Sequence, residues 1–323
     1  MSKVVAMEIS PQAIRAAEVA GYKGKNPKLL RTGEFRFDEE LEVAGDSAIY
    51  DFEEFESALK QLWAQSGFST RSVALLASGK RFIVRPHYTN QVSMDVLRKV
   101  LPMEAAGSFP EQSEELLYDF YPTHAYEDRA GVQTEGLVVT TPAEPISEIA
   151  MAFKRSRLDL EYVDFTPLAV TRWIRRNRPE QNYALVNIRD ESTDIAVVEH
   201  GMPRMIRVVP KGLSSHRRKF DRGDKDSSPL LRRDVLGENG VRVLVQDIGL
   251  TVRTQSDEIS SELECVFTSG PRAADNELMA VIGELFDVPV VPLSIANVPE
   301  SENRELNLIP SFDEFVAMTG GMR

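Results

Sequence analysis

The sequence contains few of the residues that build covalent or metal-held frameworks. Its 323 residues include one cysteine, Cys265, which excludes an internal disulfide framework and indicates a reducing, cytosolic compartment. Because Cys265 is followed by Val266 and Phe267, we interpret it as a core thiol rather than a nucleophile. The four histidines are scattered without the spacing of metal ligands, so no metal site is predicted.

Long apolar runs and an excess of positive charge are also missing. No apolar run approaches the length of a membrane-spanning helix, and the N-terminal MSKVVAMEIS lacks the features of a signal peptide, so we expect no direct membrane insertion. The net charge of −12 disfavours a general binder of nucleic acid or anionic membranes, so no nucleic-acid partner is predicted. The hydrophobic share of 42% is typical of a soluble globular protein.

A pattern of strands occurs twice in the chain. Each copy consists of an apolar run, a polar turn and two further apolar runs, which cover residues 4–7, 10–12, 14–19 and 29–37 in the first copy and 183–188, 189–192, 195–198 and 205–209 in the second. Each copy opens one half of the chain, so the sequence predicts a duplicated α/β fold.

The segment between the two copies contains further helices and strands. An amphipathic helix over 51–67 and strands at 72–78 and 81–85 nearly complete the first half. A small α+β module then interrupts the pattern; its elements are a helix from Ser93, strands at 116–121 and 136–141, a helix at 145–155 and a closing strand at 160–165. A helix at 167–176 leads to the second half.

Six stretches carry a resemblance to a known family. They are RFIVRPHYTNQVSMDVLRKVLPMEAAGSFPE, STDIAVVEHG, LVQDIGLTVRT, ECVFTSGPRA, PVVPL and the terminal FVAMTGGMR. In order and spacing, from end to end, they resemble the PilM family of type IV pilus assembly proteins. The resemblance implies an actin-like (RNase H-like) duplicated α/β fold with an inserted small α+β subdomain and a reduced lid subdomain in the second half.

The resemblance also implies a division into domains. Residues 1–86 and 165–182 would form the first actin-like domain, 87–164 the inserted module and 183–323 the second domain. Residues 211–240 are charged and poor in apolar side chains, and we interpret them as a flexible loop that replaces most of the lid over the adenine.

This sequence departs from the family where a nucleotide would bind. The family's first hairpin carries Asp-Ile-Gly, whereas this chain has Glu8-Ile9-Ser10 and then Pro11, which removes a backbone donor. The second hairpin has Asn187, which lacks the charge to hold a magnesium-bound water. The residues implied for the vestigial phosphate and adenosine loops are Ser10, Arg15, Asn187, Ser192, Thr193, Asp194 and Gly270.

We therefore expect nucleotide binding to be degenerate or lost, with no catalytic residue assigned. Arg15 and Arg189 could still bind phosphate by charge alone, so Mg-ATP stays an alternative as a cofactor.

The resemblance implies a cytoplasmic scaffold recruited to the inner face of the cytoplasmic membrane. Its partners would be the cytoplasmic tail of a PilN-like inner-membrane protein, with an Asn-Leu-Leu-Pro-like motif, other pilus assembly proteins and further copies of itself. An extended peptide could add to a strand edge in a groove beside the inserted module. The candidate groove residues are Arg81, Ile83, Arg85, Val96, Leu97, Val100, Leu116 and Phe120. Asn307-Leu308-Ile309-Pro310 resembles the partner motif. Either this segment occupies the groove of its own chain or of a neighbouring copy, or the similarity is a coincidence.

Two alternatives have other consequences. An active ATPase or sugar kinase on the same fold would need a catalytic carboxylate, for which Glu8, Asp190, Asp194 and Asp247 are available. A filament-forming relative, similar to FtsA or MreB, would polymerise. FtsA-like proteins end in an amphipathic membrane helix, and residues 312–318 are too short and too acidic for one.

Overall fold

The computed structural model describes residues 2–10, 13–22, 28–37, 43–44, 48–49, 52–90, 94–105, 107, 109, 115–128, 131–189, 191–212, 245–246, 248–250, 262–270, 273 and 276–293. The predictions for Asp190, Asp247, the Asn307–Pro310 motif, the terminal segment 312–318 and nearly all of loop 211–240 therefore lie outside the described residues.

The described elements follow one another in this order. The strands are β1 (Lys3–Ile9), β2 (Ala13–Ala20), β3 (Lys28–Arg36), β4 (Val43–Ala44), β5 (Ala48–Ile49), β6 (Ser72–Ala77), β7 (Ile83–Asn90), β8 (Leu116–Asp128), β9 (Gly131–Pro142), β10 (Asp159–Phe165), β11 (Tyr183–Ile188), β12 (Thr193–Glu199), β13 (Met202–Val209), β14 (Cys265–Ser269) and β15 (Val290–Pro292). The helices are α1 (Phe52–Ser66), α2 (Met94–Ala105), α3 (Ala143–Arg155), α4 (Thr166–Asn177) and α5 (Asn276–Phe286). Among the described helices, none is long and apolar enough to cross a membrane.

Two five-stranded sheets repeat one topology. The first sheet has the order β10-β6-β1-β2-β3 and the second the order β15-β14-β11-β12-β13. In both sheets the central strand has one antiparallel and one parallel neighbour. β1 pairs antiparallel with β2 and parallel with β6, and β11 pairs antiparallel with β12 and parallel with β14. The duplication predicted from the two copies is therefore confirmed.

The central strands of both sheets are buried because helices cover them. All six residues of β11 are buried, as a continuous apolar run at the centre of a mixed sheet requires. On the first sheet, Phe55, Leu59 and Leu62 of α1 pack with Phe153 of α3 in one core cluster. Cys265 lies in the cluster that joins α4 to the second sheet, which confirms its interpretation as a core thiol.

A three-stranded antiparallel sheet has the order β7-β9-β8, and its β7 lies next to β13 of the second sheet. Its β7 was predicted as a strand of the first half over residues 81–85, but it runs from Ile83 to Asn90 and pairs with β9. Proline is tolerated because β7 is an edge strand, where no backbone donor is needed on the outer side. Leu97 and Leu101 of α2 pack against one face of this sheet, in a cluster with Phe120.

The strand β10 also differs from the predicted division. It was expected to close the inserted module, but it pairs parallel with β6 and forms an edge of the first sheet. The physical reason is α3, whose residues Ile149, Ala152 and Phe153 pack into the first-sheet core and bring the chain back to that sheet. The chain thus leaves the first sheet after β6 and returns to it next to β6.

Candidate functional site

The two halves meet where the second strand hairpin approaches the first sheet. Arg189 directly follows β11, and its Nε donates a hydrogen bond to Oε1 of Glu8 on β1 at 2.9 Å. Glu8 is 3% exposed and lies directly opposite Arg15 of β2, whose Nη1 is 3.9 Å from Oε2 of Glu8. A buried carboxylate therefore lies between two guanidinium groups, one from each half.

A second buried network lies at the same junction. The Ser78 hydroxyl, just after β6, donates to Oδ1 of Asp194 at 2.6 Å, and Nδ2 of Asn187 donates to Oδ2 at 2.9 Å. Oδ1 of Asn187 in turn accepts a hydrogen bond of 3.0 Å from the Ser269 hydroxyl. We call Glu8, Ser78, Asn187, Arg189, Asp194 and Ser269 the central cleft.

Burial dominates the electrostatics of Asp194. The residue is fully buried, and this burial raises the pKa of its carboxyl above the usual value. The charge of Arg189 and the hydrogen bonds from Ser78 and Asn187 act in the opposite direction, whereas Glu8 adds to the increase. Both oxygens of Asp194 thus already have protein donors.

The polar groups meet here because of strand register. Asn187 of β11 lies opposite Asp194 of β12 and beside Ser269 of β14. Ser78 follows the carboxyl end of β6, so its side chain reaches the central cleft from the corresponding edge of the first sheet. The carboxyl ends of parallel strands are where α/β proteins place ligands, and this edge is the signal by which Ser78 and Ser269 could have been found from the sequence.

The other residues predicted for the nucleotide loops make local contacts. The Ser10 hydroxyl bonds the backbone of Ala13, and Nε of Arg15 lies 3.3 Å from Oε1 of Glu34. The Thr193 hydroxyl donates to the carbonyl of Lys211 at 2.8 Å. The Ser192 carbonyl closes a turn with the N–H of Arg189 at 2.9 Å.

Gly270 lies beside the central cleft at a position where a larger residue would not fit. Its φ is +97°, and a Cβ there would lie 2.1 Å from the carbonyl oxygen of Ile188. The backbone after β14 therefore approaches the end of β11 as closely as glycine allows.

The charges described in the central cleft differ from those of a typical polyphosphate site. Polyphosphate sites present backbone N–H groups and cations that are free to neutralise charge. Here two buried carboxylates face the cleft, and Arg189 is already paired with Glu8. Among the described residues, no cluster of three or more His, Cys, Asp or Glu side chains could hold a metal ion.

A separate cavity of about 240 Å³ lies between the three-stranded sheet and the first sheet. We call it the groove; its walls include Phe82, Leu117, Tyr121, Val163, Phe165 and Arg172. Leu117 on β8 and Val163 on β10 are 43% and 38% exposed. The rings of Phe82 and Phe165 stack with centroids 5.1 Å apart, and Arg172 of α4 forms an ion pair with Asp164. The groove is therefore mainly apolar, with the Arg172–Asp164 pair and the Asp119 carboxylate in its walls.

The residues predicted for partner binding lie in several places. Phe120 borders the groove, but its ring packs with Leu97 in the cluster beneath α2. Ile83 and Val100 pack partly against that cluster, Arg81 and Leu116 are half-buried, and Arg85 and Val96 are exposed. The sequence interpretation did not identify Leu117, Tyr121 or Val163 as groove residues.

Comparison with known proteins gives structural matches. No protein-family model matches the chain, and no curated protein sequence matches it. The fold is similar to that of a chain in the PilM–PilN type IV pilus biogenesis complex, with a TM-score of 0.78, 17% identity and 98% of each chain covered.

Two further structures share the fold more distantly. They are the ethanolamine utilization protein EutJ from Carboxydothermus hydrogenoformans (TM-score 0.53, 12% identity, 99% of this chain and 89% of that chain) and a Bacteroides thetaiotaomicron protein with an actin-like ATPase fold and unknown function (TM-score 0.54, 11% identity, 98% and 95%). The chain therefore has a PilM-like, actin-like α/β fold, as the resemblance predicted.

Proposed function

We propose that this protein is a cytoplasmic scaffold of a type IV pilus-like assembly machine that binds the tail of a PilN-like inner-membrane protein. The observation that carries this proposal is the similarity, over 98% of both chains, to a structure of the PilM–PilN complex. The groove supports the proposal too, because it lies between two sheet edges to which a peptide could add. Self-association and contacts with other pilus assembly proteins belong to the same proposal.

The groove has the features of a site for an extended peptide. β8 is an edge of the three-stranded sheet and β10 is an edge of the first sheet, and both contribute to its walls. An added strand gains main-chain hydrogen bonds at such an edge, while its alternate side chains enter apolar pockets. Because two strand edges border a mainly apolar cavity, we favour a peptide as the occupant.

The central cleft supports the second part of the proposal, that nucleotide binding is degenerate or lost. A phosphate that paired with Arg189 would draw this side chain away from Glu8, which would then be buried beside the more distant Arg15. It would also bring phosphate charge close to the carboxylates of Glu8 and Asp194. The cleft is stabilised by its own side chains instead.

Calorimetry tests both parts. Purified protein is titrated with a synthetic PilN-like tail peptide that contains the Asn-Leu-Leu-Pro motif, with a scrambled peptide, and with Mg-ATP. We expect binding of the tail peptide alone. Low-micromolar Mg-ATP binding with a magnesium-dependent turnover that is lost in Asp194→Ala would establish the active ATPase instead, and a silent tail peptide would overturn the scaffold.

A further inference from the structure

The outer edge of β8 presents its backbone groups in an order that the register fixes. The N–H of Ala143 donates to the carbonyl of Glu115 at 2.8 Å, and Leu117 and Asp119 lie opposite Thr141 and Val139 of β9. In an antiparallel ladder, alternate residues bond the partner strand and the residues between them point outward. The backbone groups of residues 116, 118 and 120 therefore point away from β9, toward the outer edge of β8, with which no strand among the described residues pairs.

One of these outward donors is already occupied by a side chain of its own strand. The N–H of Phe120 donates to Oδ1 of Asp119 at 2.9 Å. The Asp119 side chain is 72% exposed and lines the groove, and its Oδ1 lies 4.0 Å from Nε of Arg98 on α2. An exposed carboxylate thus caps an edge donor at the place where a peptide would add.

We propose that Asp119 guards the β8 edge: it blocks strand addition until an incoming peptide replaces its carboxylate on the N–H of Phe120. This inference rests on the proposed function, because it concerns the same groove. Charged side chains at sheet edges are a general defence against unwanted pairing. A peptide that adds to β8 must place a carbonyl oxygen where Oδ1 of Asp119 now lies. Asp119 therefore lowers the affinity of every extended peptide that adds to this edge.

Substitutions of Asp119 should increase the affinity for the peptide, whereas substitutions that merely disrupt a binding site decrease it. Asp119→Ala removes the cap, so we expect the PilN-like tail peptide to bind about fivefold more tightly, the worth of one net hydrogen bond. Asp119→Asn retains a weaker, neutral acceptor, so its gain should be smaller. Glu53→Ala, an exposed acidic residue on α1, controls for the change in net charge and should leave the affinity unchanged.

Amide hydrogen exchange gives an independent measurement. Exchange at Phe120 should be faster in free Asp119→Ala than in the free wild type, and it should slow in both proteins when the peptide binds. If the peptide binds the wild type and Asp119→Ala equally, or the variant more weakly, the guard is overturned and the scaffold stands. If the peptide binds none of the proteins, the proposed function itself fails. An exchange rate at the Phe120 amide that does not change when the peptide binds would also contradict the proposed role of Asp119.

Discussion

Arg189 and Glu8 are 181 residues apart in the sequence, yet Nε of Arg189 donates to Oε1 of Glu8 at 2.9 Å across the junction of the two halves. Their side chains are 12% and 4% exposed, so the pair lies largely outside the screening of water. The pair links the second hairpin to the first sheet at the position where the resemblance implies a nucleotide.

Replacing Arg189 by methionine should destabilise the protein strongly. The substitution leaves the Glu8 carboxylate buried beside Arg15, which is more distant, and we expect a loss of about 3 kcal/mol in the free energy of unfolding. Denaturant unfolding measures it. The control is Arg155→Met, which removes a shorter pair, Nε to Oε1 of Glu56 at 2.7 Å. The Arg155 side chain is 59% exposed, so water can replace it beside Glu56, and the loss should be smaller, about 1 kcal/mol. Equal losses in the two variants would contradict the importance of the buried pair.

The stability of the protein should carry a pH dependence that comes from Asp194. Its folded pKa is raised above the ordinary 3.8, so the folded state holds the proton more tightly than the unfolded state. The stability gained from this group is present below the unfolded pKa and is lost as the pH rises from there through the folded pKa.

Asp194→Asn isolates this dependence. The difference in unfolding free energy, wild type minus variant, should fall as the pH rises above about 3.8, because the variant has no proton to lose. Urea unfolding at a series of pH values measures the difference. A difference that stays flat or rises would show that Asp194 has no raised pKa.

Gly270 and Gly67 form a matched pair for backbone crowding. Both have positive φ, +97° and +62°, but a Cβ at Gly67 meets nothing within 4 Å, whereas one at Gly270 would lie 2.1 Å from the Ile188 carbonyl. We expect Gly67→Ala to cost about 1 kcal/mol from conformation alone. Gly270→Ala should cost about 3 kcal/mol or more, because β11 and β14 must also separate. Similar melting temperatures for the two variants would contradict the close approach.

Leu117→Asp should weaken binding of the PilN-like tail peptide by about tenfold or more, because it removes an apolar contact worth roughly 1.5–3 kcal/mol from the groove. Leu30→Asp is the control: Leu30 is 40% exposed, as Leu117 is 43% exposed, but it lies on β3 at the opposite edge of the first sheet. Calorimetry should show a loss for Leu117→Asp only. Equal effects would place the peptide elsewhere.

The duplicated fold could be predicted because its signal is local. The apolar run predicted as the strand 183–188 is β11, and the polar residues after it end the strand. The partners of β7 and β10 could not be predicted, because pairing depends on the path of α3 and β9 through space. The same holds for Ser78 and Asp194, which are 116 residues apart and meet through two different sheets.

The groove face of β8 shows a second reason. The segment LLYDFY carries large side chains at both even and odd positions, so strand alternation gives no indication of which set faces the core. The structure turns Leu117 and Tyr121 toward the groove and Phe120 toward α2. That choice is made by the packing of α2, which the strand sequence alone does not contain.

The return of the chain to β6 through β10 also bears on the order in which the protein folds. Nη1 of Arg71 donates to the carbonyl of Arg157, 86 residues later, beside the start of the β6–β10 pairing. Closing so long a loop is entropically costly, so we expect β10 to gain protection in pulsed hydrogen exchange after β1 and β2, whose pairing is local. One wall of the groove would then be completed only after the intervening module has formed. A partner that binds this groove, as proposed above, would therefore bind only chains in which β10 has paired with β6, and incompletely folded chains would not be bound.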